Sequence, residues 1–257
     1  MRKRLTSSAK SVLKGLVILY EDQDILVVDK PAGLLTVATE REKSRTACAI
    51  LTDYIRKGCG RCRKRVFVVH RLDRDTSGTL IFAKSEEAMH RLQALWKQTE
   101  KKYIAVVYGR CEKSSETIAT YLAENNGYNV YSTTDSTKGK LSQTTYKVLR
   151  MTKRVSLLEV VLLTGRKNQI RVHLAGIGHP IVGDRKYGKE DESQPRMALH
   201  ARVISFKHPF SDKRLTIESP VPAFFTTLVG HFKLESDSIQ PSTVPVQSTQ
   251  TQIPAVG

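Results

Sequence analysis

The stretch VVHRLDRDTSG, Val68 to Gly78, places His70, Arg71, Asp73, Arg74 and Asp75 within six consecutive positions. It stands between two apolar runs, Val66–Val69 and Leu80–Phe82, that read as buried strands. A plain turn would use Gly, Asn or Ser there, not alternating arginines and aspartates. Asp73 lies between Arg71 and Arg74, and neighbouring guanidinium groups favour the ionised form of a carboxylate. Such a group is a poor general acid and a competent nucleophile or base. A turn aspartate in a surface ion pair would show the same pattern, so both readings stand on this motif alone.

Two further clusters could carry chemistry. In LTGRKNQIRVHL, Leu163 to Leu174, a strand ends, Gly165 turns the chain and a helix opens near Asn168. Arg166 and Lys167 then lie at a helix N-terminus, where backbone N–H groups already favour anions. They suit a phosphate, or an arginine delivered to a carboxylate, while an ordinary capped helix with solvated basic residues is the plain alternative. In KKYIAVVYG, Lys101 to Gly109, Tyr103 enters a strand from a basic pair. It could stack on a base or be a half-buried strand tyrosine. Cys59-Gly-Arg-Cys62 has zinc-ligand spacing, but no second pair completes a site, and Lys57, Arg61, Arg63, Lys64 and Arg65 flank it. A solvated basic loop is expected there, and no metal.

The elements that must position these clusters are mostly strands. Leu16–Tyr20 and Ile25–Val28 form a hairpin pattern across Glu21–Asp24. Ser85 is a good N-cap for a helix with Glu86 and Glu87 in its first turn and Met89, Leu92, Leu95 and Trp96 at helical spacing. Strands are expected at 103–108, 116–122, 128–133, 143–149 and 157–163, and a last hairpin at 203–206 and 214–217. Asn168–Ile177 reads as a short helix stopped by Gly178, and Pro222 opens a C-terminal helix. Residues 40–64 read only as mixed and basic. The pattern favours an α+β fold with a largely antiparallel sheet.

Composition bounds the partner. Forty-two basic against 25 acidic residues in 257 give a formal net charge of +17, which predicts attraction to a polyanion. No apolar run approaches the length of a membrane span. The N-terminus is basic, but its apolar core is too short for a signal peptide. A cytoplasmic protein is expected, with organellar import left open. Residues 1–15 read as a basic extension, 16–233 as one domain and 234–257 as a disordered polar tail. A monomer is expected, since no coiled-coil pattern is present.

Together the motifs resemble the RluA-type pseudouridine synthases. HRLDRDTSG matches that family's HRLDxxTSG motif. ILYEDQDILVVDKPAGLL (18–35) is similar to its opening hairpin and KPAG turn, KKYIAVVYG to its tyrosine motif, and TGRKNQIRVHLAGIGHPIVGD (164–184) to its GRxHQIRxHL–GHPIxGD block. LHARVISFKHP and PVPAFF resemble its closing segments. Six ordered matches make chance resemblance implausible. The resemblance implies a mixed, mostly antiparallel sheet with flanking helices and a central catalytic cleft. It implies conversion of uridine in ribosomal or transfer RNA to pseudouridine without cofactor or metal. Asp73 becomes the catalytic aspartate, Tyr103 the residue that packs on the base, and Arg166 the arginine that pairs with Asp73. Arg71 enters the RNA stack where the target nucleotide leaves it, and Lys30, His70, Lys102, Lys167 and Arg171 are further candidates for RNA contact. Asn168 stands where the family has His, and is expected to cap the helix. No separate N-terminal RNA-binding module is expected, so the net charge must serve docking directly.

Overall fold

The computed structural model describes residues 12–234 except 41, 43–44, 58, 60–61, 189–193 and 195. The expected tail beyond 234 and the first eleven residues lie outside the described residues. Within the segment read as an extension, β1 (Val12–Leu13) already pairs with β2 (Leu16–Glu21), so the described sheet begins at residue 12.

β2 and β3 (Ile25–Lys30) form the expected hairpin, and Asp22 shapes its turn by accepting the N–H groups of Asp24 and Ile25, each at 2.8 Å. β4 is reduced to Phe67–Val68, and β5 runs Ser77–Ala83. β6 (Glu100–Tyr108), β7 (Ser115–Glu124), β8 (Val130–Thr133), β9 (Lys140–Met151) and β10 (Val155–Leu162) follow, then the hairpin β11 (Leu199–Lys207) and β12 (Arg214–Glu218). Among the described residues these twelve strands make one sheet, ordered β1-β2-β3-β5-β11-β6-β10-β9-β7-β8, with β4 on β5 and β12 on β11. Every pairing of these strands is antiparallel except β5 with β11, where Ser77 and Gly78 face His200 and Ala201 in parallel. That seam joins the N-terminal and C-terminal halves of the sheet.

The seam depends on a glycine. Gly78 has φ +113°, and a Cβ there would fall 2.1 Å from the Ala201 carbonyl oxygen. Gly78 lies inside β5, paired with Ala201 on one side and Lys30 on the other.

Helices cover both faces, which is why β3 and β5 are continuous apolar runs rather than alternating ones. Leu26, Val28, Leu80 and Phe82 pack toward α1 (Ala47–Arg56), through Ala47, Ile50 and Leu51. Ile25, Val27, Ile81 and Ala83 pack toward α2 (Glu86–Ala94), through Ala88 and Leu92. Each fully buried Val, Leu, Ile or Phe among them contributes about 1.5–3 kcal/mol. Ser85 caps α2 as expected, accepting the Ala88 N–H at 3.1 Å. α1 is capped likewise by Thr46, a helix hidden in the sequence by its basic surroundings. α3 (Gln169–Gly176) and α4 (Phe224–Val229) lie where helices were expected.

Candidate active site

The charged stretch forms a loop between β4 and β5, at the start of the seam. Its conformation is fixed on both sides of Asp73. The Thr36 hydroxyl donates to the Leu72 carbonyl (2.9 Å) and accepts the Leu72 N–H (3.3 Å), both buried. On the other side, the Arg74 carbonyl accepts from Gly33 N–H (2.9 Å) and from the Lys30 ammonium (3.0 Å), while Arg74 Nε donates to the Gly33 carbonyl (3.1 Å). The connection from β3 to α1 thus holds the residues before and after Asp73. The Thr76 N–H closes the turn on the Asp73 carbonyl at 3.2 Å.

Asp73 opens into a small pocket of about 70 Å³ lined by Arg71, Leu72, Thr76, Tyr103, Arg166, Arg171 and neighbours. Tyr103 reaches it from β6, where it is paired with Ala201 on β11 and Val160 on β10. A bulge in β11 between Ala201 and Val203 lies beside that pairing, and bulges commonly re-aim side chains next to active sites. Burial and the nearby Asp73 carboxylate push the Tyr103 phenol well above its ordinary value, so at neutral pH it is an uncharged ring.

Arg171, not Arg166, is the partner of Asp73. Its Nη1 donates to Asp73 Oδ2 (3.0 Å), and its Nε and Nη2 hold Asp184 in a bidentate pair (2.7 and 2.8 Å). The physical reason lies in α3. Arg166 precedes the helix and is exposed at the pocket rim, with no ion pair among the described residues. Arg171 stands inside the helix between the buried Ile170 and Val172 and must find carboxylates. Burial by itself would raise the Asp184 carboxyl, but Arg171 and the N–H groups of Lys186 and Tyr187 outweigh it and hold it below the usual range. Burial likewise disfavours the charged Arg171, yet Asp184 and Asp73 together raise its pKa. Asp184 was legible only as part of a motif, with no role assigned.

The other candidates are placed as follows. Arg71 is exposed at the pocket. Lys30 is fully buried, its ammonium donating to the carbonyls of Pro31, Leu34 and Arg74. Burial pushes its pKa down to about 8 against the pull of Asp75, Asp73 and Asp29. Its position is that of a brace beneath the loop, not of a surface cation. His70 packs on Trp96 with ring centroids 4.6 Å apart, and its Nε2 accepts the Ile81 N–H. Burial, then Lys101, push it down to about 3, so it is neutral. Lys102 is half-buried and 3.5 Å from Glu100. Lys167 is exposed and pairs with Glu124. Asn168 does not cap α3 with its side chain. It takes a left-handed conformation (φ 54°), which Asn tolerates, and bonds Tyr187 and Arg171 instead. Gln169 instead ties the turn before the helix, its Oε1 accepting from Thr164 Oγ1 and the Arg166 N–H.

Among the described residues, Asp22, Asp24 and His208 form the one His/Cys/Asp/Glu group spaced to hold a metal ion. Its hydrogen bonds argue otherwise. His208 Nδ1 accepts from the N–H groups of Phe210 and Ser211, which leaves the proton on Nε2, donated to Asp22 at 3.0 Å. An imidazole whose two nitrogens are committed in this way has no lone pair free for a metal. The cluster ties the β11–β12 turn to the β2–β3 turn. All four cysteines are free thiols.

The fold and pocket have known counterparts. Two solved human structures, RNA Pseudouridylate Synthase Domain Containing 1 and Domain Containing 4, each superpose with a TM-score of 0.67. The first is 26% identical and the match covers 90% of this chain and 93% of that one; the second is 24% identical, with 81% and 90% covered. The architecture is therefore that of a pseudouridylate synthase domain. A family model described as RNA pseudouridylate synthase matches residues 24–176. "Uncharacterized RNA pseudouridine synthase YhcT" of Bacillus subtilis (strain 168) is 37% identical over 224 residues, covering 84% of this chain and 73% of the relative. "Uncharacterized RNA pseudouridine synthase MG209" of Mycoplasma genitalium is 35% identical over 227 residues, covering 85% and 71%. This chain belongs to the RNA pseudouridylate synthase family, a family of isomerases.

Proposed function

We propose that this protein converts uridines of a structured ribosomal or transfer RNA to pseudouridine, with Asp73 as the reactive carboxylate. The observation that carries the reading is the hold on Asp73: its neighbours are clamped at Leu72 and Arg74, and its carboxylate is met by Arg171 beside Tyr103. Preorganisation of this kind lowers the barrier by removing the cost of orienting the group. The reaction breaks the bond from ribose to the base nitrogen, turns the uracil and joins its C5 to the ribose. The proton that leaves C5 is matched by the one the nitrogen gains, so the balance needs no oxidant or reductant.

Arg171 holds Asp73 in place, and Tyr103 packs its neutral ring on the base. Tyr103, lining the same pocket as Asp73, is also the candidate for the late removal of the C5 proton. Arg71 and Arg166, exposed at the pocket rim, contact the RNA from which the target nucleotide is extruded. Lys102 and Lys167 add phosphate contacts, and the net charge draws the polyanion in. The enzyme acts as a monomer in the cytoplasm.

A non-catalytic RNA-binding protein on the same fold is the competing reading, and it has no use for Asp73, Tyr103 and Arg171 in one pocket. The test is pseudouridine mapping in cellular RNA from a strain lacking the gene, incubated with purified protein. Asp73→Asn should lower the rate by about a thousandfold or more while RNA binding persists. Equal modification by wild type and variant, or none by either, sinks the assignment.

A further inference from the structure

The turn Asn125–Asn129, between β7 and β8, carries an aromatic ring that the pocket does not use. Tyr128 is 74% exposed and has φ 59°, a left-handed conformation that suits Gly or Asn and costs a tyrosine about 1–2 kcal/mol. Its neighbours on either side are Asn126, Gly127 and Asn129, so residues suited to that conformation are at hand but do not occupy it. The turn is nevertheless held firmly. Asn125 Oδ1 accepts the N–H groups of Gly127 and Asn129, each at 3.0 Å, and the Asn125 carbonyl accepts the Tyr128 N–H at 2.9 Å.

Two lysines from separate segments converge on this residue. Lys167 and Lys186 both donate to the Tyr128 carbonyl at 3.3 Å, and the Lys167 ammonium lies 5.4 Å from the centre of its ring. The turn is also wired to the active site. The Tyr187 hydroxyl accepts from Val130 N–H at the start of β8 (3.2 Å) and from Asn168 Nδ2 (3.0 Å), while Arg171 stacks 5.0 Å above the Tyr187 ring. Tyr128 is therefore fixed relative to the arginine that holds Asp73.

We propose that Tyr128 is a stacking platform for an RNA base flanking the target nucleotide, with Lys167 and Lys186 on the phosphates beside it. This rests on the function proposed above. An extruded nucleotide leaves its neighbour without a stacking partner, and an aromatic ring replaces that partner whatever the sequence, because every base has a π-face. The surroundings favour RNA over a protein partner: Asn and Gly flank the tyrosine in the turn, Lys167 lies over its ring, and Lys186 reaches its carbonyl, a polar and cationic setting suited to a polyanion.

The test uses the full chain and a uridine-rich RNA 12-mer carrying one 2-aminopurine, with binding and fluorescence read together. Tyr128→Gly removes the ring and relieves the backbone, so its melting temperature should hold or rise. It should weaken binding about tenfold and abolish the change in 2-aminopurine fluorescence. Tyr128→Phe should restore both. If wild type binds and Tyr128→Gly matches it in both readouts, the platform is refuted and the proposed function stands. If Tyr128→Gly instead loses only a co-purifying protein, the ring serves a protein partner and the platform is likewise refuted. If wild type neither binds the 12-mer nor forms pseudouridine in cellular RNA, the proposed function falls and the platform with it.

Discussion

Replacing Arg171 with Lys separates the two duties of that side chain. The guanidinium spans two carboxylates, with Nε and Nη2 on Asp184 and Nη1 on Asp73. An ammonium keeps the charge but is a single point and cannot sit at both. It should settle on Asp184, whose side chain is only 1% exposed, and leave Asp73 without its partner. A hydrogen bond to a charged group is worth about 1.5–3 kcal/mol. The Asp73 side chain is 31% exposed, so solvent takes up part of the loss and about 1–2 kcal/mol is the better figure. At 1.4 kcal/mol per factor of ten, single-turnover pseudouridine formation should slow by about 5–30-fold. With charge retained next to Asp184, the melting temperature should fall by only about 2–4 °C. Arg171→Met strands a buried carboxylate, at a cost of about 3–5 kcal/mol, and should unfold far earlier. Arg166→Ala should weaken RNA binding and spare the single-turnover rate at saturating enzyme. The reasoning is refuted if Arg171→Lys reacts at the wild-type rate while Arg166→Ala abolishes the reaction.

Thr36→Val removes the hydroxyl that clamps Leu72 and leaves a buried N–H and carbonyl unsatisfied; chemical denaturation should show a loss of about 1–3 kcal/mol, with a lower single-turnover rate. Gly78→Ala should cost about 3 kcal/mol or more, read by thermal melting, because the new methyl would meet the Ala201 backbone at the seam. His173 and His200 are pushed down to about 4 by burial, and His70 to about 3 by burial and then Lys101, from 6.5 in the unfolded chain. Between those values the unfolded chain binds protons that the folded one does not, so stability should be flat from about pH 6.5 to about 8, where Lys30 starts to lose its proton in the folded chain. It should fall with pH below that by up to about 1.4 kcal/mol per unit for each histidine. Melting curves across pH 4–8 check this, and His173→Gln should remove one proton from the slope.

What the sequence disclosed was local. The β2–β3 hairpin, the Ser85 cap and the tyrosine strand follow from short-range pattern and lie where expected. The pairing of Asp73 spans 98 residues, and motif spacing could not choose between Arg166 and Arg171. The signal was the arginine's place inside a short helix flanked by apolar residues, where a charge must find partners. Lys30 looked like a surface lysine because nothing in a linear pattern announces that three carbonyls converge on it. Arg74 is instructive for the opposite reason. Its carbonyl, which any residue would supply, anchors Gly33 and Lys30, so most of the duty at this position leaves no mark in the sequence, and only the Nε bond to the Gly33 carbonyl calls on the side chain.

The parallel seam also sets an order of assembly. β11 is inserted between β5 and β6, and its contact with Ser77 closes a loop of 123 residues. Contacts of such sequence separation form late, because the chain entropy must be given up before they are made. During synthesis Asp73, on the loop before β5, and Tyr103, on β6, emerge early, and β5 and β6 have no direct pairing with each other. They become one site only when residues near 200 have left the ribosome and the last long strand has entered the gap. A partly made chain would therefore hold RNA-attracting charge without an assembled pocket, and the pocket would form only once β11 has been made.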